Sequence, residues 1–268
     1  MSKAGLAGFL FPRVPLAPED NQRAFGGSGA ALKAFLLAAG HGTRLRPLTD
    51  TIPKCLLPVR GVPLLQIWLE NCYRFGIDEV LINIHAHADQ VQSFLASYSG
   101  SSPRIRVVRE TKLLGSAGTL LANRAWVDSE ACFCVFYADV LNQADLGAML
   151  RLHRSLEPTA TLGVCRVPDP TRCGIVEVSE DGTILKFVEK PTHPDSDLAF
   201  AGLLVGTPAL LDAIPRKRPV DIGFDVLPLL AGDMLAYSIS EYLIDIGTME
   251  NYQKAQATWP GFEGGLSR

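Results

Sequence analysis

Short apolar runs that alternate with amphipathic segments are the feature that most constrains the fold of this chain. Four runs in the first half have the length and composition of buried strands, at residues 33–39, 79–84, 104–108 and 132–137. Between them, residues 64–73, 89–96 and 118–126 carry apolar side chains at helical spacing. This alternation predicts an α/β fold in which a mainly parallel sheet is covered by helices on both faces.

The second half of the chain has a different pattern. We expect short β runs at residues 159–167, 174–178, 184–188, 200–205 and 241–246, and helical segments at 208–214 and 249–258. Ser179-Glu180-Asp181-Gly182 joins two of these β runs and is typical of a hairpin turn. The sequence therefore predicts a Rossmann-like mixed sheet with a small β-rich lobe packed on it and a cleft between the halves.

The length of 268 residues fits one globular domain with an extension before it. We expect residues 1–30 to be a flexible extension or linker, because prolines, acids and the run Gly26-Gly27-Ser28-Gly29 interrupt any apolar pattern. Residues 31–260 form the predicted domain, with halves at about 31–145 and 146–260. The formal net charge of −3 gives no electrostatic reason to bind nucleic acid or a membrane, and no apolar run is long enough to cross a bilayer.

Six scattered cysteines form no CxxC pair, and the chain shows no secretory signal pattern. We expect reduced thiols in a cytoplasmic protein, with Cys132 and Cys134 on one face of a strand. The histidines lack metal-ligand spacing, and His85 and His87 are interpreted as structural or loop residues. The oligomeric state stays open, and a homo-oligomer is compatible with the sequence.

A glycine loop after the first strand is the strongest indication of chemistry. Residues 36–49 read Leu-Leu-Ala-Ala-Gly-His-Gly-Thr-Arg-Leu-Arg-Pro-Leu-Thr, and Pro-Lys-Cys-Leu-Leu-Pro follows at 53–58. Glycines let backbone N–H groups approach a phosphate closely, and a helix start behind them adds the positive end of a dipole. Arg44 and Lys54 add a guanidinium fork and a mobile ammonium, which suit the charge spread over a triphosphate.

This motif resembles the signature of the sugar-1-phosphate nucleotidylyltransferases, also called NTP transferases or sugar-nucleotide pyrophosphorylases. The resemblance covers about residues 32–258 and implies an enzyme that joins an NTP to a sugar 1-phosphate and releases pyrophosphate. It implies two catalytic residues, Arg44 on the departing β- and γ-phosphates and Lys54 on the α-phosphate. The residues that it implies for nucleotide binding are Ala38, Ala39, Gly40, Gly42, Thr43, Glu110, Gly115, Ala117 and Gly118.

Four further segments resemble the same family in the same order. Residues 110–120 resemble its base-binding loop, and Phe187-Val-Glu189-Lys190-Pro191 resembles its sugar-phosphate segment. Tyr137-Ala138-Asp139-Val140 and the segment 245–252 resemble the two segments that supply magnesium ligands, which implies Mg²⁺ held by Asp139 and Asp245. The residues implied for the sugar phosphate are Gly174, Glu189, Lys190, Ala201 and Gly202.

The chain departs from the family pattern at several positions. Cys55 stands where a proline usually follows the lysine, Tyr137-Ala138 replaces Asn-Gly, and Cys173 replaces a tyrosine. Phe200 replaces an asparagine, which removes an amide that could read a hydroxyl or acetamido group. Because the last three changes border the expected sugar pocket, we expect an unusual sugar rather than glucose 1-phosphate.

The form Leu114-Gly-x-Ala-Gly-x-Leu120 most resembles guanylyltransferases that act on mannose or heptose 1-phosphates, which predicts GTP; UTP, dTTP and CTP are alternatives. A catalytically silent pyrophosphorylase-like regulatory subunit is a second hypothesis, although Arg44, Lys54 and both aspartates are retained. A glycosyltransferase is a third, although its Asp-x-Asp motif is lacking. A phosphocholine cytidylyltransferase would need an aromatic cage for a quaternary ammonium.

Overall fold

The computed structural model describes residues 31–261, so the extension expected at 1–30 lies outside the described residues. The strands are β1 Lys33–Leu37, β2 Pro58–Val59, β3 Val62–Pro63, β4 Glu79–Ile84, β5 Arg104–Arg109, β6 Phe133–Tyr137, β7 Val140–Asn142, β8 Ala160–Arg166, β9 Gly174–Val178, β10 Ile184–Glu189, β11 Leu198–Gly206, β12 Met234–Ser238 and β13 Leu243–Asp245. The helices are α1 Leu64–Arg74, α2 Ala88–Ser97, α3 Ser116–Ala122, α4 Leu146–Leu156, α5 Pro208–Asp212, α6 Ile222–Asp225 and α7 Met249–Thr258.

One nine-stranded sheet runs through both halves of the chain, in the order β10-β9-β11-β6-β1-β4-β5, with β8 paired to β11 and β12. The strands β6, β1, β4 and β5 are parallel neighbours, and β11 joins β6 in the antiparallel direction. The predicted mixed α/β architecture, mainly parallel and flanked by helices, is confirmed. The β-rich second half extends the same sheet, so β11 connects the two halves through hydrogen bonds.

Apolar side chains cover both faces of the sheet, because successive strand residues point to opposite sides. One buried cluster contains side chains from α1, α2, α4 and α7, and in it Trp68 stacks on Phe136 with ring centroids 5.0 Å apart. The other cluster contains side chains from α3, α5 and α6 and includes Phe35. Cys132 and Cys134 both belong to the first cluster, which places them on one face as predicted.

Some elements differ from the sequence-based expectation. The strand β5 is mostly exposed because it lies at the edge of the sheet. The helix α4 and the strands β7 and β12 were not predicted, and β7 has only three residues, too few for a periodic pattern. Among residues 31–261, no helix has the length and apolar character needed to cross a membrane.

All six cysteines are free thiols, as expected. Burial raises the pKa of the Cys55 thiol to about 12, so this cysteine beside Lys54 stays protonated at neutral pH. Cys55 therefore acts as a small apolar residue under the loop that carries the lysine.

Candidate active site

The loop after β1 is shaped by Gly42, whose φ of +64° lies in the left-handed region. A Cβ on Gly42 would meet Thr49 Cγ2 at 2.9 Å, and the Thr49 hydroxyl donates a hydrogen bond to the Gly42 carbonyl at 2.8 Å. Gly40, in contrast, has no atom within 4 Å of the position of an added Cβ. The loop therefore packs on one side and presents open backbone at Gly40 on the other.

The loop borders a cavity of about 350 Å³ at the carboxyl edge of the parallel strands. Predicted site residues that line this cavity are Ala38, Gly40, Gly42, Thr43, Arg44, Lys54 and Asp139. Ala39 is buried, with 6% of its surface exposed. The Ala38 N–H donates to Asn83 Oδ1 at 2.8 Å, so this amide is already used within the protein.

Lys54 lies between the two aspartates that the sequence predicts as metal ligands. Its Nζ is 2.5 Å from Asp139 Oδ2 and 3.9 Å from Asp245 Oδ1. The lysine side chain is only 11% exposed, so its charge is held at the cavity wall. A positive charge between two carboxylates shows that this position suits a cation.

The two aspartates are 106 residues apart in sequence, and the pairing of two short strands brings them together. Asp139 follows β6, and Asp245 ends β13, which pairs antiparallel with β7 so that Asp245 opposes Val140. The N–H of Ile246 donates to the Asp139 carbonyl at 3.0 Å and fixes this register.

Arg44 lies on the same side of the cavity as Asp245. A Cβ on Gly247 would come within 2.9 Å of Arg44 Nη2 and 2.8 Å of Asp245 Oδ1, so the missing side chain leaves room for both groups. Partial burial raises the pKa of Asp245, and the nearby Asp139 carboxylate raises it further. Arg44, Lys54 and Asp139 thus line one cavity, and Asp245 lies beside Lys54, with its Oδ1 3.9 Å from the lysine Nζ.

The predicted base loop is held by the protein itself. The N–H groups of Ala117 and Gly118 donate to the Val220 carbonyl at 3.0 and 3.2 Å, and a Cβ on Gly115 would lie 2.2 Å from that oxygen. Glu110 is buried and accepts three hydrogen bonds from protein groups. The amides of Ala117 and Gly118 and the Glu110 carboxylate are thus used within the protein, where they shape the loop.

The predicted sugar-phosphate residues lie on β9, β10 and β11. The Glu189 side chain is 15% exposed, and the absence of side chains on Gly174 and Gly223 gives its carboxylate space. Lys190 has a φ of +49°, and its Nζ lies 3.6 Å from Glu189 Oε1 and 5.4 Å from the Phe224 ring centroid. This lysine is 54% exposed and is directed at Phe224 rather than at Asp139.

Ala201 and Gly202 are packed structural positions on β11. Ala201 is 5% exposed, and a Cβ on Gly202 would lie 3.0 Å from Val140 Cγ2 and 3.2 Å from Tyr137 Cβ. Gly202 also has a φ of +74°. A glycine is therefore required at position 202, where β11 lies close to Tyr137 and Val140 on either side of Asp139 in sequence.

Ser116 and Tyr137 line the cavity but were not among the predicted binding residues. The Ser116 hydroxyl donates to Asp221 Oδ2 at 3.0 Å and accepts from the Ile222 N–H at 2.7 Å. Asp221 also caps α6 by accepting from the N–H groups of Gly223 and Phe224. An aspartate before a helical turn predicts a helix N-cap. The hydrogen bond between Asp221 and Ser116 could not be predicted from the sequence, because the two residues are 105 positions apart.

The donor set at Asp139 and Asp245 fits Mg²⁺. Magnesium keeps several waters and is commonly held by one or two carboxylates together with substrate phosphates. Within residues 31–261, no group of three or more His, Cys, Asp or Glu residues is arranged to hold a metal, so a metal here would rest on these two carboxylates. Both carboxylates lie within 4 Å of the Lys54 ammonium, which shows that a positive charge is accommodated between them.

The chain is similar to known nucleotidyl transferases. The family model described as Nucleotidyl transferase matches residues 33–260. The chain is 34% identical over 228 residues to a mannose-1-phosphate guanylyltransferase of Mycobacterium tuberculosis, covering 84% of this chain and 63% of that protein. It is 32% identical over 216 residues to a glucose-1-phosphate thymidylyltransferase of Streptomyces griseus, covering 81% of this chain and 58% of that one.

A solved UDP-glucose pyrophosphorylase of Acinetobacter baumannii has the same fold, with a TM-score of 0.75 and 22% identity, over 86% of this chain and 93% of that chain. The chain spans 58–64% of the length of the curated relatives that it matches. Because the family model covers nearly all of the described residues, this chain belongs to the nucleotidyl transferase family.

Proposed function

We propose that this protein is a sugar-1-phosphate nucleotidylyltransferase, which transfers a nucleoside monophosphate from an NTP to a sugar 1-phosphate and releases pyrophosphate. The observation that carries the proposal is that Arg44, Lys54 and Asp139 line one cavity of about 350 Å³, with Asp245 Oδ1 3.9 Å from the Lys54 ammonium. Two cationic side chains and two carboxylates are the groups needed to bring one phosphate anion against another. Family membership supports the same reaction class.

In this reaction an oxygen of the sugar phosphate attacks the α-phosphorus in line, and pyrophosphate leaves on the opposite side. Arg44 holds the departing phosphates, and Lys54 moves from Asp139 to the α-phosphate. Asp139 and Asp245 would hold Mg²⁺, which would supply positive charge to offset that of the phosphates during transfer. The nucleophile is an anion at neutral pH, so catalysis consists of positioning and electrostatic stabilisation without a general base.

The sugar phosphate enters from the side of β10, where Glu189 accepts hydrogen bonds from sugar hydroxyls and Lys190 binds the phosphate. Lys190 leaves the face of Phe224 to do so, since its Nζ now lies 5.4 Å from that ring. The Tyr137 and Phe200 rings pack edge to face with their centroids 5.8 Å apart. Phe200 offers no amide that could bind a sugar hydroxyl, which supports a sugar other than glucose as the acceptor.

We propose GTP as the nucleotide and a mannose- or heptose-type 1-phosphate as the acceptor. The loop form Leu114-Gly-x-Ala-Gly-x-Leu120 and the relative named as a mannose-1-phosphate guanylyltransferase support this choice. A thymidylyltransferase matches at 32% identity, so UTP, dTTP and CTP belong in the same test.

The test crosses GTP, UTP, dTTP, CTP and ATP with hexose and heptose 1-phosphates and measures pyrophosphate release with and without Mg²⁺. We expect one preferred pair and a requirement for the metal. Asp139→Asn should lower kcat by about 10²–10³-fold, by analogy with the loss of one electrostatic group at a reacting centre. Its circular dichroism spectrum should match that of the wild type.

Asp128→Asn is the matched control, because Asp128 is a surface residue that forms an ion pair with Arg124, four residues before it. This control should keep wild-type turnover. Full activity of Asp139→Asn would contradict the metal assignment, and absence of pyrophosphate release from every pair would contradict the proposed enzyme.

A further inference from the structure

Three buried polar side chains form a hydrogen-bonded group behind the cavity, and we call Asn83, Glu110 and Thr119 the Glu110 network. Their exposed fractions are 4%, 5% and 0%. Glu110 Oε1 accepts from Asn83 Nδ2 at 2.9 Å and from Thr119 Oγ1 at 2.5 Å. Asn83 Nδ2 also donates to Thr119 Oγ1 at 3.0 Å. Buried polar groups cost free energy unless they are paired, and each member of this network is paired.

The network reaches the backbone on two sides of the nucleotide end of the site. On one side, Asn83 Oδ1 accepts from the N–H of Ala38, which lines the cavity between β1 and the glycine loop. On the other side, Glu110 Oε2 accepts from the N–H of Leu114 at 3.0 Å, inside the base loop of residues 110–120. Because Glu110 and Thr119 belong to that loop, Asn83 is the side chain that ties it to the backbone before the glycine loop.

A second hydrogen bond, from Val220, holds the base loop at Leu114. The Leu114 carbonyl accepts from the Val220 N–H at 2.9 Å, so both polar backbone groups of Leu114 are bonded. Because Leu114 is held on both sides, its position depends on the Glu110 carboxylate, and a shift there would move Gly115 and Ser116 with it. Ser116 lines the cavity.

The chemistry of the network requires a carboxylate at position 110. All three groups that contact Glu110 are donors: the Asn83 amide, the Thr119 hydroxyl and the Leu114 N–H. A carboxylate accepts at both oxygens, whereas a glutamine would place an NH₂ group against one of these donors. The three donors therefore require an acceptor at both oxygens of residue 110, which glutamate provides and glutamine does not.

We propose that the Glu110 network is a positioning device that sets the distance between the glycine loop and the base loop, and thereby the choice of nucleotide base. Glu110 acts through Ala38 and Leu114 and does not itself contact the base. This inference rests on the proposed nucleotide binding, but it concerns selection among nucleotides rather than the reaction.

The test compares Thr119→Val, which keeps the shape and removes the hydroxyl, with Thr119→Ser, which keeps the hydroxyl. Equilibrium binding of GTP, UTP, dTTP and CTP is measured for each variant, together with thermal unfolding. Thr119→Val should weaken binding of the preferred NTP about tenfold, as expected for a lost buried hydrogen bond. It should also reduce the preference for that NTP over the others, and Thr119→Ser should restore both quantities.

Glu110→Gln provides a second variant. It should reproduce the loss of preference, and its effect should be non-additive with that of Thr119→Val, because both changes disrupt one network. The KM for the sugar 1-phosphate should change less than about twofold, since that substrate binds at the other end of the site.

The outcomes separate this inference from the proposed function. A Thr119→Val variant that unfolds at a lower temperature but keeps the wild-type order of NTP affinities would show a merely structural role and overturn the inference. Additive effects of Thr119→Val and Glu110→Gln would overturn it as well. A wild-type protein that binds none of the four NTPs would contradict the proposed function itself.

Discussion

Glu189 carries a carboxylate in surroundings that oppose its charge. Burial raises the pKa of Glu189; the Lys190 ammonium counteracts this, and the Asp221 carboxylate adds to it. The pKa of Glu189 therefore lies above its value in the unfolded chain. The protonated Glu189 side chain stabilises the fold at low pH, and this contribution is lost as the pH rises through the folded-state pKa. At neutral pH the ionised carboxylate is thus kept at a cost in stability, which is consistent with a binding role.

At pH 7, the Tm of Glu189→Gln should equal or exceed that of the wild type. Any difference in Tm should disappear when the pH falls below the unfolded-state pKa of glutamate, about 4.3. The same variant should raise the KM for the sugar 1-phosphate about tenfold, since a sugar hydroxyl loses a charged acceptor. Thermal unfolding as a function of pH and steady-state kinetics measure the two effects.

Glu177→Gln is the control for this prediction. Glu177 lies on the neighbouring strand β9 and forms an exposed ion pair with Lys186, 2.8 Å away. Its replacement should leave the KM unchanged. A lower Tm at pH 7 together with an unchanged KM in Glu189→Gln would contradict the assigned role.

At the scale of elements, the segment before α6 determines the shape of the base loop. The Val220 carbonyl accepts two N–H groups from the start of α3, and the Ser116–Asp221 hydrogen bond joins the same two elements. The loop can approach this closely because Gly115 has a φ of +82° and no side chain. The shape of the predicted base loop therefore depends on contact between α3 and a segment about 100 residues later.

Gly115→Ala should lower the free energy of unfolding by about 2–4 kcal/mol, because its Cβ would lie 2.2 Å from the Val220 oxygen and its backbone conformation is strained for alanine. Chemical denaturation measures this loss. Gly40→Ala is the comparison, since nothing lies within 4 Å of its added Cβ. Gly40→Ala should leave the free energy of unfolding unchanged and weaken NTP binding. Equal free energies of unfolding for Gly115→Ala and Gly40→Ala would contradict the requirement for glycine at position 115.

At the scale of the whole molecule, the two halves share one sheet and cannot be separated. The strand β11 from the second half pairs with β6 from the first, and β7 pairs with β13. The buried clusters on both faces also combine residues from both halves. The boundary near residue 145 therefore does not mark a folding unit, and the division of the site by substrate stays a prediction.

A fragment of residues 31–145 should not fold, because β6 would expose an unpaired edge and both apolar faces would be open. Full-length protein should instead unfold in one transition, with coincident curves from circular dichroism and tryptophan fluorescence. A fragment with cooperative unfolding, or two separate transitions in the full chain, would contradict a single cooperative unit.

Local pattern was sufficient to predict the strands β1, β4 and β6, the helix α7 and the glycine loop, because hydrophobic periodicity and loop chemistry act within a few residues. The pairing of β7 with β13, the buried position of Glu110 and the contact of Val220 with the base loop were not predictable in this way. Each of these features depends on contacts between segments that are distant in sequence. The same is true of the ion pair between Lys54 and Asp139, which are 85 positions apart. Periodicity carries no information about which distant groups meet, so the arrangement of the site emerged only when the sheet brought its strand ends together.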